Sequence, residues 1–266
     1  MTESSDDLQT RAMQRIAAGH RLLLAMGGDG TFQGLANAAY SSDVLLGVLP
    51  TGGGNDFASA LGLPRDPVAA ADGVLSGKPR CVDLLRARTE DGRIRLYVGG
   101  GGVGLDAEAM AHASGAFRRL PGRWRYVAAA LRALHGFAPL GVRAEFPGSG
   151  LRAMESKVLL AGVLNTPTYG AGLRFAPDAQ IDDGWLTTVF LEDLTGLEVL
   201  ALLPRLLRRG EPPSARVRRT RARRVVLATD RPSFFHGDGE ILGPTPVRIE
   251  VVPGALRVLA PTRGKA

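Results

Sequence analysis

Residues 22–31 read LLLAMGGDGT, an apolar run that ends in a glycine turn. A short apolar run bounded by glycines predicts a buried strand, and the Ala- and Leu-rich stretch from Phe32 to Tyr40 predicts the helix after it. This order is typical of a phosphate site, because glycine lets backbone N–H groups converge on an anion and the helix N-terminus adds partial positive charge. Asp29 would repel a bare phosphate, so it indicates a Mg²⁺ ion between the two. An ordinary strand-to-helix turn remains the alternative.

A second glycine loop follows the next apolar run. Residues 45–49, LLGVL, predict another short strand, and they run directly into PTGGGNDF at 50–57. The carboxyl ends of neighbouring parallel strands meet at one edge of an open sheet, where ligands bind. We therefore expect both loops, each with its aspartate, to line one site.

Together the two loops resemble the diacylglycerol kinase catalytic-domain family of lipid kinases, which includes bacterial diacylglycerol kinase-like and sphingosine kinase-like enzymes. GGDGT is shared with NAD kinases, whereas Pro-x-Gly-x-x-Asn-Asp-Phe, followed by LGLP at 61–64, is similar to the lipid-kinase branch. The resemblance implies ATP and Mg²⁺ as cofactors, with Asp29 and Asp56 as metal ligands. The nucleotide-binding residues it implies are Gly27, Gly28, Asp29, Gly30, Thr31, Thr51, Gly52, Asn55 and Asp56.

A third motif, HGDGE at 236–240, lies between apolar stretches. Alone it predicts a hairpin turn. It also resembles the family's Asp-Gly-Glu motif, whose aspartate is taken as the general base, so the resemblance implies that Asp238 and Glu240 are catalytic. Phosphoryl transfer to an alcohol uses a carboxylate that accepts the hydroxyl proton and a metal on the phosphates. We assign no role to His236.

Two further stretches are similar to the family. They are NTPTYGAG at 165–172 and APDAQIDDGWL at 176–186. Asp182 and Asp183 precede a glycine and can bind a cation through carboxylate and backbone oxygens. The alternative is an ordinary Asp-Gly turn that enters a strand.

The glycine run 99–104 formally satisfies G-x-G-x-x-G after a predicted strand. A dinucleotide site would need an acidic residue about 20 positions later. None lies between Glu108 and Glu145. The family resemblance instead places this run at the start of the second domain.

The periodicity predicts an α/β N-terminal domain, residues 1–80, with a Rossmann-like parallel sheet truncated at its start, and a β-rich, β-sandwich-like second domain, residues 81–266. The second domain is expected to hold the lipid substrate. Helices are predicted at 5–19, 67–75, 123–137 and 195–208. Strands beyond residue 80 are predicted at 82–87, 94–98, 158–164, 186–190, 225–228 and 247–252.

Composition narrows the location and the partners. One cysteine, Cys81, excludes an internal disulfide, and no uncharged apolar run approaches the ~20 residues of a membrane span. We expect a cytoplasmic protein. The net charge is +7, and arginines cluster at 205, 208, 209, 216, 218, 219, 221, 223 and 224. Such a cluster predicts transient contact with an anionic membrane surface, or a merely solvated basic face. No aromatic residue interleaves with the arginines, so we expect no nucleic-acid partner.

The sequence departs from the family pattern in three places. Gln33 and Gly34 stand where the family usually has Asn-Glu, and Gly53 stands where it often has Thr. The family's first strand and its Asn-Pro-x-Ser-Gly loop have no counterpart before Met1. A sheet without that unit would expose a strand edge, so we expect weak activity and a possible homodimer. An NAD-kinase-like enzyme and a non-catalytic nucleotide- or lipid-binding remnant are the alternatives to a lipid kinase.

Overall fold

The computed structural model describes residues 5–105, 137–170, 172–192 and 216–262, together with the isolated positions 109, 128–129, 132–133, 194, 198 and 201. Its first part is an α/β unit. The elements of this unit are α1 (Ser5–Ala17), β1 (Leu22–Gly27), α2 (Asp29–Ala39), β2 (Leu45–Pro50), α3 (Asp56–Ala60) and α4 (Pro67–Leu75). β1 and β2 are parallel, so their carboxyl ends place the two glycine loops side by side.

Local sequence explains how these helices begin and pack. Pro67 opens α4, and the preceding Asp66 accepts a hydrogen bond from the Ala69 N–H at 2.8 Å, which caps the helix. α2 buries Phe32 and Leu35 and packs against both α1 and β1. The Ala- and Leu-rich stretch after the first glycine turn is therefore a helix, as predicted, but it begins at Asp29 rather than Phe32.

The second part of the chain is built of antiparallel strands. They are β3 (Lys78–Arg88), β4 (Ile94–Tyr97), β5 (Gly100–Gly104), β6 (Leu140–Glu145), β7 (Met154–Leu164), β8 (Leu186–Glu192), β9 (Val217–Ala222), β10 (Arg224–Thr229), β11 (Phe234–Gly237), β12 (Glu240–Pro244) and β13 (Val247–Ala260). Neighbouring strands follow the order β1-β2-β13-β10-β6-β7-β5-β11-β12, with β3 beside β13 and β4, and β8 between β7 and β9. The predicted combination of an α/β unit and a β-rich unit is confirmed.

Two long strands, β3 and β13, connect the hydrophobic core of the α/β unit to a core of the β-rich unit. In β3, Val82 and Leu84 belong to the core of the α/β unit, whereas Leu85 and Ala87 belong to this core of the β-rich unit. β13 pairs antiparallel with β3 along most of its length, and its later part also pairs parallel with β2. The α/β sheet is therefore continuous with the β-rich part.

The glycine run after Tyr97 forms a strand, not a ligand loop. Gly100–Gly104 is buried as β5 between β7 and β11. A Cβ atom on Gly101 would lie 2.2 Å from the His236 carbonyl oxygen, so glycine is needed here for close strand packing. This placement excludes the dinucleotide-loop interpretation of the run.

The prediction that β1 is buried is only partly correct. Ala25 is buried, but Leu22, Leu24 and Met26 expose 48%, 47% and 70% of their surface. The alternating exposure shows that one face of β1 is uncovered. Among the described residues β1 pairs with β2 alone, so it is also an edge strand. Association of two copies through this edge stays a prediction.

Two predicted helices, 123–137 and 195–208, lie almost wholly outside the described residues. The predicted helix 5–19 is observed as α1, and it ends before Gly19, whose φ of +91° suits glycine. Within the described parts of the chain, no helix is long and apolar enough to cross a membrane.

Candidate active site

The two glycine loops touch through their backbones. A Cβ atom on Gly52 would lie 2.5 Å from the Cα of Gly28, a distance that real Cβ contacts do not reach. Asn55 fixes the second loop, because its side chain accepts from the Gly52 N–H at 3.1 Å and donates to the Gly52 carbonyl at 2.8 Å. Asn55 has a φ of 58°, a left-handed conformation that asparagine tolerates better than most residues. The predicted nucleotide residues of both loops therefore form one surface.

Asp29 belongs to the first loop and supports the second one. Its carboxylate accepts hydrogen bonds from the backbone N–H groups of Asp56, at 3.1 Å, and Phe57, at 3.0 Å. It thereby satisfies free N–H groups at the start of α3. Burial raises the pKa of the Asp29 carboxyl above its ordinary value, although these N–H bonds act in the opposite direction. Asp29 thus has a structural function that the sequence did not indicate.

Asp56 joins the α/β unit to the β-rich unit. It begins α3 and is only 8% exposed. Its Oδ1 atom accepts a hydrogen bond of 3.0 Å from the N–H of Gly172, in the glycine loop that follows β7. This contact brings the predicted 165–172 motif beside the second glycine loop.

Asp238 occupies the turn between β11 and β12 with a φ of 50°. Its carboxylate accepts three backbone hydrogen bonds, from the N–H groups of Val98 at 2.7 Å, Gly99 at 2.9 Å and Gly100 at 3.2 Å. Burial raises the pKa of Asp238 to about 8, and the negative charge of Asp29 adds to the rise, whereas the three N–H donors lower it. Three donors fix the position of the carboxylate, and its raised pKa suits a proton acceptor near neutral pH.

The Asp238 turn meets the first glycine loop. A Cβ atom on Gly30 would lie 3.2 Å from the Asp238 carbonyl oxygen and 3.9 Å from Glu240 Oε1. The structure therefore brings together residues that are more than 200 positions apart in sequence. A group held by the first loop would therefore lie close to the turn that carries Asp238 and Glu240.

Comparisons with known proteins show the family to which this chain belongs. Residues 1–87 match the diacylglycerol kinase catalytic domain, and residues 101–260 match the YegS C-terminal NAD kinase beta sandwich-like domain. A diacylglycerol kinase of Mycobacterium tuberculosis (strain ATCC 25618 / H37Rv) is 31% identical over 250 residues, which cover 94% of this chain and 80% of that protein. The chain belongs to the diacylglycerol kinase-like family of lipid kinases.

Other members of this lipid-kinase family are similar over the same length. A probable YegS-like lipid kinase of Stenotrophomonas maltophilia (strain K279a) is 30% identical over 272 residues, covering 98% of this chain and 85% of that protein. The crystal structure of a putative diacylglycerol kinase from Bacillus anthracis str. Sterne superposes with a TM-score of 0.77 at 22% identity, covering 98% of this chain and 84% of that one. The solved structure supports the fold, and the sequence relatives support a kinase.

The predicted metal ligands of this lipid kinase lie in two separate places. Asp29 and Asp56 lie at the glycine loops, where the repulsion between Asp29 and Asp238 fits a divalent cation that would offset their charge. Among the described residues no cluster of three His, Cys, Asp or Glu side chains is arranged to hold a metal ion. Magnesium therefore stays a prediction at the loops.

The Asp182-Asp183 pair is held by arginines. Arg80 binds the Asp182 carboxylate with an N–O distance of 2.6 Å, and Arg221 forms an ion pair with Asp183.

Behind the Asp182-Asp183 pair, the buried Asp83 accepts hydrogen bonds from the N–H groups of Gly184 and Gly254. Burial raises the pKa of Asp83, and the charges of Asp183 and Asp182 contribute to the rise. These contacts explain the turn without a metal, and a cation at Asp182-Asp183 stays a prediction.

The described members of the arginine cluster are Arg216, Arg218, Arg219, Arg221, Arg223 and Arg224. Several of them take part in contacts within the fold. Arg221 forms its ion pair with Asp183, and the guanidinium of Arg223 lies 5.3 Å from the ring centroid of Trp185. The cluster therefore combines structural pairing with exposed positive charge.

Two residues beside the Asp238 turn were missed by the sequence analysis. His236 is 2% exposed, and its ring stacks on Tyr169 with 6.1 Å between centroids. The Tyr169 hydroxyl lies 3.0 Å from His236 Nε2. Asn37 on α2 was also missed. It binds Leu96, which lies just before the residues that donate to Asp238. A lone histidine in a loop and an asparagine in a helix carry no sequence signal that separates these positions from ordinary ones.

Proposed function

We propose that this chain transfers the γ-phosphoryl group of ATP to a hydroxyl group of a diacylglycerol-like lipid. The observation that carries the proposal is the contact between the Asp238-Gly239-Glu240 turn and Gly30 of the GGDGT loop. This contact brings a phosphate-binding type of loop beside the turn that carries Asp238, whose carboxyl group has a raised pKa, in a chain that belongs to a lipid-kinase family.

The chemistry follows from the residues at this contact. The N–H groups of the glycine loops and the N-terminus of α2 bind and orient the phosphates. Asp238 accepts the proton of the lipid hydroxyl while the new O–P bond forms, the bond between the γ-phosphorus and the bridging oxygen breaks, and ADP leaves. Mg²⁺, held by Asp29 and Asp56, would neutralise phosphate charge when bound. Glu240 lies beside the same glycine and orients the reacting groups.

In this proposal each of the two parts of the chain binds a different substrate. Residues 1–80 provide the nucleotide loops, and residues 81–266 provide the base and the lipid-binding side. The lipid is reached at the surface of a membrane, where exposed arginines attract anionic headgroups.

The test is the transfer of radiolabelled phosphate from ATP to a panel of lipids in mixed micelles, with and without Mg²⁺. We expect a labelled diacylglycerol phosphate that depends on both Mg²⁺ and Asp238. A parallel reaction offers NAD as the acceptor. Labelled NAD with unlabelled lipid would replace the proposal by NAD kinase activity, and no labelled product with either acceptor would refute the proposal.

A further inference from the structure

Asn37 of α2 binds the backbone of β4 as a neighbouring strand would. Its side-chain Oδ1 accepts from the Leu96 N–H at 3.1 Å, and its Nδ2 donates to the Leu96 carbonyl at 2.8 Å. Leu96 is paired with Arg86 of β3, so the amide of Asn37 covers the other edge of β4. The same Nδ2 also donates to the Gln33 carbonyl at 2.9 Å, which fixes the rotamer of Asn37 on its helix.

This contact lies directly upstream of the groups that hold Asp238. Leu96 is followed by the segment 97–100, and three consecutive N–H groups of that segment, at Val98, Gly99 and Gly100, donate to the Asp238 carboxylate. In return the Asp238 N–H donates to the Gly100 carbonyl at 2.9 Å. A shift of β4 against α2 would therefore move all the donors of the carboxylate together.

A second, weaker contact joins the same helix to the same turn. Gln33 is 2% exposed, and its Nε2 lies 3.4 Å from the carbonyl oxygen of Gly237, the residue before Asp238. α2 begins at Asp29, within the GGDGT loop. One helix thus carries the glycine loop at its start and two side chains that reach the Asp238 turn and its supporting segment.

We propose that Asn37 is a positioning residue that aligns the Asp238 carboxylate with the GGDGT loop. The inference rests on the proposed function, because it assigns Asn37 a role in phosphoryl transfer through Asp238. It acts only through the backbone of residues 96–100, without contact to a substrate. A displacement of about 1 Å between reacting groups can cost a factor of about 10² in rate.

The first test is a double-mutant cycle in the complete chain. Asn37→Leu removes both hydrogen-bonding groups at similar volume, and we expect kcat for lipid phosphorylation to fall about 10- to 100-fold with KM for ATP nearly unchanged. In an Asp238→Asn background the same substitution should change kcat by less than about 2-fold, because the group it positions is already gone. Equal losses in both backgrounds would overturn the proposal.

Two further variants serve as comparisons. Asn37→Asp keeps the acceptor for the Leu96 N–H and loses the donor, so its kcat should lie between those of the wild type and Asn37→Leu. Ser42→Ala is the matched control: Ser42 donates to the Ala39 carbonyl at the far end of the same helix and leaves the 96–100 segment unchanged. Loss of kcat in Ser42→Ala equal to that in Asn37→Leu would mean that any disturbance of α2 suffices. If Asn37→Leu does not fold, kcat and amide exchange are measured with Asn37→Asp instead.

The second test does not depend on activity. Amide hydrogen exchange should be faster at Val98, Gly99 and Gly100 in the Asn37 variants than in the wild type and in Ser42→Ala, because the segment loses its anchor. Unchanged exchange at these three amides would refute the positioning role. If the wild type phosphorylates no lipid, the proposed function fails by itself, and this exchange pattern still decides whether Asn37 anchors the Asp238 support.

Discussion

Asp238 combines two opposing influences on a single carboxyl group. Three backbone N–H donors stabilise the ionised form, whereas burial and the nearby Asp29 charge stabilise the protonated form. The effect of burial is the largest of these, and the pKa of Asp238 rises to about 8. A base with a pKa near the working pH transfers protons most efficiently, so the environment suits catalysis better than a fully solvated carboxylate would.

Asp238→Asn should lower kcat for lipid phosphorylation by ~10²–10⁴, the loss typical of a missing general base. Affinity for ATP should stay nearly unchanged, since the side chain contacts backbone N–H groups and not the glycine loops. Steady-state kinetics and calorimetric titration with ATP measure the two quantities. Turnover at the wild-type rate would remove Asp238 from the mechanism.

The pH dependence of kcat/KM should follow the ionisation of Asp238. Its raised pKa of about 8 means that the group is largely protonated at pH 6 and ionised above pH 9. Only the ionised form accepts a proton, so activity should rise with pH through about 8 and fall as the pH is lowered. Initial rates from pH 6 to 9.5 test this. The residual activity of Asp238→Asn should not show this rise with pH. A wild-type profile that is flat across this range contradicts the assignment.

Asp29 serves the fold and, in our proposal, the metal. Asp29→Ala leaves two N–H groups at the start of α3 without their acceptor, and we expect a loss of about 1–3 kcal/mol in the free energy of unfolding. Asp29→Asn keeps one acceptor oxygen and should lose less. Urea denaturation of the three proteins compares the effects. Equal stability of Asp29→Ala and the wild type would show that these contacts contribute nothing.

Measurements of ATP binding can distinguish the charge of Asp29 from its support of the second loop. Because Asp29→Asn removes the charge while keeping a hydrogen-bond acceptor, it should weaken ATP binding more with Mg²⁺ present than with EDTA. Calorimetric titration under both conditions measures the difference. An equal loss under both conditions would mean that Asp29 supports the loop and does not bind the metal.

At the level of elements, the contact between the two loops sets a steric limit. Gly52→Ala would place a Cβ atom 2.5 Å from the Gly28 Cα and force the loops apart. We expect ATP binding at least about 10-fold weaker, since phosphate contacts depend on both loops. Gly162→Ala in β7 is the matched control, because its nearest neighbour would be 3.6 Å away. ATP affinity that is equal in the two variants would contradict the steric argument.

The sequence predicted many of the strands, the two glycine loops and the turn at 236–240, because each has a local pattern of apolar runs and glycines. It did not predict β5, β6 or β9. It did not predict that Asp29 accepts hydrogen bonds from α3, nor that Asn37 binds Leu96. Both contacts join elements that are distant in sequence, and the side chains involved have several common roles in turns and helices. The exposed face of β1 was missed for a related reason: an apolar run does not reveal which faces of its strand are covered by other elements.

At the level of the whole molecule, positive charge is spread over a face that is only partly paired. Arg223 and Arg224 are exposed, and the Arg224 Nε lies 3.7 Å from a carboxylate oxygen of Glu250. Reversing Arg218 or Arg221 would instead break ion pairs within the fold. Arg223 and Arg224 are therefore the better sites for testing membrane contact.

Replacing Arg223 and Arg224 by Gln should weaken binding to anionic phospholipid vesicles by about 1 kcal/mol per residue at low salt. Vesicle sedimentation at increasing salt concentration measures this, and salt should release the wild type. Arg11→Gln on α1 is a control with the same charge change per residue at another exposed site. Binding that responds to neither salt nor the Arg223 and Arg224 substitutions leaves the cluster as a solvated face.

The pairing of β13 with β2 has a consequence for synthesis on the ribosome. Leu45 and Leu46 leave the exit tunnel long before Arg257 and Val258, with which they pair. Until then one edge of β2 is open, and the nascent α/β unit lacks Leu256 and Val258 from its core. Contacts of such long sequence separation form late and slowly. The nucleotide loops therefore emerge early but gain their final support only when much of the β-rich part is already made, and during that interval chaperones have an open strand edge to protect.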